Sequence, residues 1–371
     1  MKKIVSIVFT IIISISFSGC YNYRDINKVL FVTTVIMDID EENNPIVYDE
    51  AFKANAGNKG PGSDTRLVFK GEGKTLFEGA RDMSLMASYK LNYTQNKVLV
   101  FTKRAAEYGL DNFIDFFERD QELIIRPSIC IYDGDPEKLL QAKLEEEKYI
   151  GVYIMQLIEN IRVSSRSIRM SFNNYLNQRL IGDKTNVIPI IQLNSDGLGS
   201  KIKIEGGAVI KEDKLVNVIK KEEAQGFNFL LDNVKLGTLE PKNPEVKSKF
   251  VTLEILSSKT ITDLKYDEGK IKLIKKINVN TSLAEIQDKM SVNDKNLMEL
   301  KSTTEDNIRR ACETIFNKYK EIGLDIFDIS EQFQMRYPKE NIENVIKETE
   351  LIVDVNVDIT TSGENLSFIK E

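Results

Sequence analysis

Apolar residues in the first half of the chain form runs that alternate with amphipathic segments. Val29–Ile39 is a long run of β-branched and other apolar residues and predicts a buried strand, and residues 98–101 and 123–132 have the same character. The chain shows no internal repeat. These patterns predict an α/β mixture in this region.

The helices between these strands have recognisable starts. Thr75 with Glu78 forms a capping box, Asp135 precedes a proline and a glutamate, and Asp111 stands before another amphipathic stretch. Inward-facing positions are predicted at Leu76, Ala80, Met83 and Ala87, at Ile114 and Phe117, at Tyr153, Ile154, Leu157, Ile158 and Ile161, and at Tyr175, Leu176 and Leu180.

Residues 194–200 are the most turn-rich stretch and predict a domain boundary. Residues 20–195 are then an N-terminal α/β region, with two subdomains expected, and residues 200–371 are a C-terminal domain. The whole is expected to be a multi-domain protein of the mixed α/β (α+β) class.

The C-terminal part combines strands with one long helix. Residues 201–210 and 215–220 form a hairpin pattern, residues 250–256 and 271–279 are further strands, and residues 351–359 alternate apolar with acidic or polar side chains. The helix is predicted to start at a capping box of Ser302 and Glu305 and to end before Gly323, with a stripe of Ile308, Cys312, Ile315, Tyr319 and Ile322. We expect a largely antiparallel sheet packed on this helix.

The N-terminus has the pattern of an export signal. Two lysines precede an apolar stretch, residues 4–17, that is too short to cross ~30 Å of hydrocarbon comfortably. Phe17-Ser18-Gly19-Cys20 resembles the lipobox of lipoprotein signal peptidase. Residues 1–19 are therefore predicted to be a signal peptide cleaved between Gly19 and Cys20, with Cys20 carrying the lipid and acyl chains such as palmitate. An ordinary signal peptide with an incidental cysteine is the alternative.

Composition narrows the function classes. The formal net charge is −6, and loss of Lys2 and Lys3 leaves 49 basic against 57 acidic side chains, or −8. An acidic surface argues against nucleic-acid binding and against recruitment by anionic lipid headgroups, so the predicted lipid on Cys20 would have to hold the protein at a membrane. The chain has neither histidine nor tryptophan. The absence of histidine excludes Ser–His and Cys–His nucleophile pairs and the usual zinc ligand sets.

Cys130 and Cys312 lie in apolar contexts without metal-ligand spacing, and each is predicted to pack as a small hydrophobe, with a disulfide between them as the alternative. We expect no catalytic, cofactor-binding or metal-binding residue and no enzymatic activity. A hydrolase directed at the cell wall would need paired catalytic carboxylates or a metal site.

Four motifs have both a structural and a functional interpretation. Residues 71–75 look like the end of a phosphate-binding loop, yet the required glycine is replaced by Val68, so a turn into a capped helix is favoured. Glu145-Glu146-Glu147 is interpreted as a solvated helix end rather than a cation site. Asp38, Asp40, Glu41 and Glu42 crowd one turn but lack the spaced Asp/Gly pattern of a calcium loop, which argues against a metal site there. Arg162, Arg166 and Arg169, with Ser164, Ser165 and Ser167 between them, form a basic helical side that could contact phosphate or an acidic partner.

Four blocks in order along the mature chain resemble one family. The first is Cys20-Tyr21-Asn22-Tyr23-Arg24-Asp25 with its following strand, and the second is residues 73–81 with residues 90–93, 97–100, 109–110 and 116–120. The third is residues 206–215 with Glu222-Glu223 and Gly226-Phe227, and the fourth is residues 325–327 with Tyr337-Pro338 and the closing strand through residues 361–363. The chain resembles the Ger(x)C lipoproteins, which are the C subunits of the GerA-type spore germinant receptors. It departs from that family at Tyr21, where tryptophan is usual, and at Asn96, where histidine is common, and residues 340–350 look shortened.

The resemblance implies a three-domain α/β fold, with two domains in the N-terminal half. It also implies a lipid-anchored subunit on the outer face of the inner spore membrane, in a complex with integral subunits A and B, that is needed for assembly or signalling when a nutrient germinant is sensed. The alternative function is a solute-binding lipoprotein of a transporter, which would need two lobes around a ligand cleft.

Overall fold

A computed structural model of the chain describes residues 28–53, 66–119, 126–160, 164–196 and 199–360. The strands are β1 Val29–Ile39, β2 Pro45–Lys53, β3 Arg66–Glu72, β4 Lys90–Asn92, β5 Val98–Thr102, β6 Ser128–Tyr132, β7 Thr185–Asp196, β8 Gly199–Lys211, β9 Lys214–Lys220, β10 Gly237–Leu239, β11 Val251–Asp267, β12 Lys270–Ile286 and β13 Thr349–Thr360. The helices are α1 Leu76–Met86, α2 Lys103–Tyr108, α3 Asp111–Arg119, α4 Pro136–Gln141, α5 Ile150–Asn160, α6 Phe172–Gln178, α7 Ala224–Leu230, α8 Asp294–Ile322 and α9 Ile329–Arg336.

The first sheet has nine strands in the order β3-β2-β1-β5-β6-β7-β8-β9, with β4 also paired to β1. β1, β5, β6 and β7 are parallel neighbours, and antiparallel strands flank them on both sides. Helices α1, α2, α3 and α6 cover one face, while α4 and α5 cover the other. Because both faces are covered, β1 is buried along almost its whole length, as the sequence predicts for Val29–Ile39.

The second sheet has the order β10-β11-β12-β13 and is covered on one face by the long helix α8. β11 and β12 form a long antiparallel hairpin, and β13 joins β12 in parallel. Buried and exposed side chains alternate along β13, as predicted from its sequence. The predicted fold class, a mixed α/β multi-domain protein with a sheet packed on a long helix, is confirmed.

Helix α7 connects the two sheets. Its glycine, Gly226, lies so close to α8 that a Cβ atom there would stand 2.3 Å from the Ala311 carbonyl oxygen. Lys318 of α8 forms an ion pair of 2.8 Å with Glu223, directly before α7. Val187 of the first sheet belongs to the same buried cluster as Phe227 of α7 and Ile315 of α8. One continuous core therefore joins the two layers.

The predicted boundary at 194–200 lies where two strands of the first sheet, β7 and β8, pair with each other. β7 and β8 pair along their length, with Ser195 opposite Ser200, and the sheet continues to Lys220. A turn-rich sequence serves a tight hairpin as well as a linker, which is why composition alone does not separate the two. The division of the chain into separate folding regions stays a prediction.

The long helix begins earlier than predicted. Its N-cap is Asn293, whose side chain accepts a hydrogen bond from the Asn296 backbone N–H, so the predicted start at Ser302 is wrong. Ser302 is an exposed interior position, and Glu305 accepts a bond from the Val357 backbone instead of closing a capping box. The predicted end is correct, because Gly323 adopts φ +73° as the C-cap.

The predicted stripe of this helix is buried from Ile308 to Tyr319, whereas Ile322 is about half exposed. Cys130 and Cys312 are buried free thiols in different cores, so they form no disulfide with each other. The prediction that Leu180 lies on the buried face of a helix is wrong, because α6 ends at Gln178 and Leu180 is exposed.

Candidate functional site

The predicted lipidation and cleavage residues, Cys20 and Gly19, lie outside the described residues. Within the described ranges, no group of three or more acidic or cysteine side chains is placed to hold a metal ion. No described helix is both long enough and apolar enough to cross a bilayer.

A cleft of about 860 Å³ opens between the first sheet and the region around α7 and α9. β6 and β7 pair only at Ile131↔Ile190 and Tyr132↔Ile191. Pro189, the residue of β7 directly before Ile190, has no N–H to donate. The register of β7 with its other neighbour, β8, shifts between Pro189 and Ile191. Near its start β6 pairs instead with the segment before α6, through a bridge from Ser128 to Ser171. The start of β7 is therefore displaced from β6, and the cleft lies at this displacement.

Polar side chains from several elements reach the cleft. They are Ser128, Glu159, Ser164, Ser167, Arg169, Ser171, Asn174, Gln178, Thr185, Asn186, Asn228, Asn233, Lys235 and Asp328. Asn186 is 5% exposed, and its carbonyl oxygen Oδ1 has no hydrogen-bond partner in the structure. A buried acceptor without a partner costs about 1–3 kcal/mol, so a ligand or segment that donates a hydrogen bond here would recover that energy.

The wall opposite β7 is built by a non-helical segment, residues 164–170, held to α7 by amide hydrogen bonds. Asn228 donates to the carbonyl oxygens of Ser165 at 3.0 Å and Ser167 at 2.9 Å, and Gln225 donates to the Ser165 hydroxyl at 2.7 Å. These bonds satisfy both protons of the buried Asn228 amide. The wall is thus fixed in position although it has no regular secondary structure.

This wall corrects the prediction of a basic helical side. α5 ends at Asn160, and the described residues after 163 are extended or turned, so Arg166 and Arg169 do not share a helical face. Arg166 pairs with Glu240 at 3.2 Å, whereas Arg169 lines the cleft. Arg162 lies outside the described residues.

The far end of the cleft carries a partly buried acidic group. Asp328 has the left-handed conformation, φ +57°, and makes no capping hydrogen bond to α9. Burial, together with the nearby Asp325 and Glu331, raises the pKa of Asp328 to about 7. Burial also raises the pKa of Asp325, although the backbone N–H groups of Phe327 and Ser330 donate to its carboxylate.

Lys275, on β12, faces the same interior. Its ammonium donates to the Leu230 carbonyl oxygen at 2.7 Å and to the Thr262 hydroxyl at 2.8 Å. Burial lowers the pKa of Lys275 to about 8. Asp328 is the largest electrostatic influence opposing this shift, so the two groups share one weakly solvated region behind the cleft.

The remaining motifs have structural roles. Gly71 ends β3 against α1, where a Cβ atom would stand 2.0 Å from the Gly79 carbonyl oxygen, and Gly73 lies in the turn before the Thr75 cap. Residues 71–75 are therefore a tight strand-to-helix turn, as favoured by their sequence. Asp38 is buried and bonded to Thr102 and Arg104, while Asp40 closes its own turn through Asn44.

Sequence reasoning missed Glu50, the most densely bonded buried carboxylate described. Thr33 and Thr34 donate to Oε2 at 2.8 Å each, and Arg66 donates to Oε1 at 2.6 Å. The backbone N–H groups of Ile150 and Gly151, at the start of α5, donate at 2.9 and 3.1 Å. A carboxylate at a helix N-terminus is favourable, and this one fixes α5 to the sheet. Two adjacent acidic residues, Asp49 and Glu50, inside a strand that is otherwise mainly apolar are the signal available in the sequence.

Two family models together cover most of the chain. The spore germination protein N-terminal domain matches residues 22–193, and the spore germination B3/GerAC-like C-terminal domain matches residues 205–363. The chain belongs to the GerAC-like family of spore germination proteins. The resemblance to the C subunits of germinant receptors is thereby confirmed.

Individual relatives agree. The chain is 21% identical over 360 residues to spore germination protein GerQC of Bacillus cereus, covering 96% of this chain and 98% of that protein. It is 22% identical over 249 residues to the putative spore germination protein YfkR of Bacillus subtilis, covering 63% and 62%. The crystal structure of the GerBC protein matches with a TM-score of 0.58 at 17% identity, over 88% of this chain and 96% of that one, and has the same fold.

Proposed function

We propose that this chain is the lipid-anchored C subunit of a nutrient germinant receptor, needed for assembly of the receptor or for its signalling. The observation that carries the proposal is the match of both family domains in order along the mature chain. The protein acts through contacts with integral subunits A and B at the inner spore membrane, and it catalyses no reaction.

The anchor part of the proposal depends on the lipobox at Cys20. Two acyl chains give stable attachment, since each buried methylene contributes about 0.8 kcal/mol. Attachment by lipid suits a chain with a mature net charge of −8, which an anionic membrane would not recruit by charge alone. Metabolic labelling with a fatty acid tests this: the unaltered chain and Cys130→Ser should take up label, and Cys20→Ala should not. Label retained by Cys20→Ala would refute the anchor.

The receptor part is tested by purification from spore membranes. Detergent extraction should release this chain together with two integral subunits. Spores that lack the gene should lose the response to one class of nutrient while still germinating with agents that bypass receptors. Recovery of the chain without integral partners, from spores that respond to every nutrient, would contradict the proposal.

The cleft supports a second candidate, a solute-binding lipoprotein of a transporter. Its volume of about 860 Å³ lies within the usual range for small-molecule sites, and Asn186 and Asp328 offer polar groups in it. Isothermal titration of the full chain in detergent distinguishes the two. Micromolar binding of one amino acid or sugar, lost in Asn186→Leu, together with normal germination of the deletion strain would favour the transporter function.

A further inference from the structure

The described part of the chain begins at the edge of the first sheet that is formed by the first residues of β1 and the last residues of β2. β1 begins there at Val29, opposite Lys90 of β4, and the adjacent residue Leu30 pairs with Lys53 at the end of β2. Helix α1 ends at the same edge, because Met86 lies only a short turn before Lys90. We call this group, Lys28, Lys53, Leu85, Met86 and Lys90, the anchor edge.

Two apolar side chains of the anchor edge point into solvent. Leu85 is 86% exposed, the largest value among the large apolar side chains described, and Met86 is 57% exposed. The inward side of α1 is occupied by Leu76, Gly79 and Met83, so neither residue contributes to the core. Two exposed apolar residues in sequence at the end of a helix are available to another surface.

The charge of the anchor edge differs from that of the whole protein. Lys28 and Lys90 are exposed, and Lys53 is held over the Tyr89 ring at 4.1 Å while donating to its hydroxyl at 2.8 Å. Among the described residues, Asp82 of α1 is an exposed acidic side chain three positions before Leu85. The whole chain has a net charge of −6, but the lysines give this edge a local positive charge. A negatively charged surface would therefore attract this edge of the protein.

The length of chain between Cys20 and Lys28 sets how far this edge can lie from a membrane. Lys28 is eight residues after Cys20, and a fully extended connection of that length spans at most about 28 Å. This step rests on the proposed lipid anchor. Given that anchor, Lys28, and with it the anchor edge, stays within about this distance of the bilayer.

We propose that the anchor edge lies directly on the membrane, with Leu85 and Met86 in the interfacial layer and the three lysines at anionic lipid headgroups. Amphipathic surfaces of this kind bind through buried apolar area together with attraction to anionic lipid. The acyl chains supply the attachment, and the anchor edge sets the orientation of the protein.

This orientation has a consequence for the cleft. β6 and β7 run parallel to β1, and their first residues, Ser128 and Thr185, line the cleft. The cleft therefore lies toward the same end of the sheet as the anchor edge. On a membrane it faces the side from which a segment of an integral partner would approach.

The test uses the full lipidated chain in vesicles of phosphatidylcholine with phosphatidylglycerol. Cys130 and Cys312 are fully buried, and burial raises the pKa of each thiol, so a maleimide fluorophore will react with an introduced surface cysteine. Leu85→Cys is the probe, and Met298→Cys, 72% exposed on α8, is the matched control. A nitroxide quencher attached to lipid should quench the probe at Leu85→Cys at least about twofold more than the control.

Charge is tested in the same assay. Lys28→Gln combined with Lys90→Gln should reduce quenching at Leu85→Cys to the value measured in vesicles of phosphatidylcholine alone, while Lys295→Gln, an exposed lysine of α8, should not change it. Equal quenching of the two probes would overturn the proposal. A second result would also overturn it: the probe at Leu85→Cys is shielded from both lipid-borne and aqueous quenchers, and the chain sediments as a dimer. The anchor edge would then be covered by a second copy of the chain.

The unaltered chain separates this proposal from the anchor on which it rests. If it reacts with maleimide, Cys20 is a free thiol and the proposed lipid attachment fails. If it does not react and yet the Leu85→Cys probe is unquenched, the attachment stands and only the membrane contact of the anchor edge is wrong.

Discussion

The two sheets bury their polar groups in different ways. The first sheet is covered on both faces, and the carboxylate of Glu50 inside it receives donors from two threonines, an arginine and the start of α5. The second sheet is covered on one face, and its buried ammonium, Lys275, donates to two neutral oxygens and has a carboxylate, Asp328, nearby. A fully satisfied charge fixes structure, whereas a weakly satisfied one responds to pH and to ligands.

This difference also locates the cleft. Where helices cover both faces of the first sheet, side chains fill the space between layers. The first residues of β7 are not paired with β6, so the sheet has a gap there. Residues of α7 and the residues before α9 line the other side of this gap. The cleft is therefore a product of the junction between the two layers, and neither layer would form it alone.

The largest effect is expected in the one-sided layer. Ile315→Asp places an unpaired charge in the core beneath the second sheet, where Ile315 is 1% exposed, and should cost at least about 4 kcal/mol of unfolding free energy. Urea denaturation followed by circular dichroism measures it. Ile322→Asp, on the same helix but 47% exposed, should change stability by less than about 0.5 kcal/mol. Equal effects of the two changes would mean that the stripe is not buried.

The two-sided layer should be sensitive at Glu50. Glu50→Gln keeps the shape but turns an amide N–H₂ toward groups that are themselves donors, and it leaves Arg66 without its ion pair. We expect a loss of about 2–3 kcal/mol in the same assay. The control is Glu72→Gln, whose side chain is 63% exposed and should contribute almost nothing. A Glu50→Gln chain as stable as the unaltered one would show that the carboxylate does not hold α5.

The junction should show a dependence on pH through Asp328. Its pKa in the folded state, about 7, lies above the ordinary value of 3.8, so the folded protein keeps a proton that the unfolded chain releases between about pH 4 and 7. The stabilisation of the folded state that comes from this proton is fully present below pH 4 and is lost as the pH rises through 7. Asp328→Asn, which suits the left-handed backbone, should flatten that loss, by about 1–3 kcal/mol between pH 4 and 7.

Denaturation at a series of pH values checks this prediction. The control is Asp354→Asn, because Asp354 is an exposed residue of β13. Its plot of unfolding free energy against pH should run parallel to that of the unaltered chain. An Asp328→Asn profile with the original slope would mean that the proton is not held at Asp328.

The smallest effect compares a cap that the structure contains with one that it does not. Thr75 accepts a hydrogen bond from the Glu78 backbone N–H, and Glu78 accepts one from the Lys74 N–H, so Thr75→Ala should cost about 1 kcal/mol. Ser302, predicted from sequence to be an equivalent cap, lies inside α8, and Ser302→Ala should be neutral or slightly stabilising because alanine favours helix. A loss at Ser302→Ala matching that at Thr75→Ala would indicate that α8 starts where the sequence motif suggests.

Local signals are reliable where one interaction decides the outcome. The prediction for Val29–Ile39 has the observed bounds because a segment rich in β-branched and other apolar residues suits a strand buried on both faces. The predicted cap at Asp135 and C-cap at Gly323 are confirmed, because each depends on bonds between residues a few positions apart. The predicted start of α8 is wrong because Ser302 and Asn293 are both acceptable caps, and burial of Asn296 and Leu300, which precede Ser302, favours the longer helix.

Sequence alone is enough to specify the apolar runs, the caps at Thr75, Asp135 and Gly323, the hairpin of residues 201–210 and 215–220, and the family to which the chain belongs. Only tertiary packing establishes that β7 and β8 continue the first sheet, that Glu50 binds the start of α5 a hundred residues away, and that Asn186 and Asp328 border one cleft. The physical reason is the range of the interactions. Caps and turns are made by neighbours in sequence, whereas burial, register and the pKa of a buried acid depend on which distant segments pack around it.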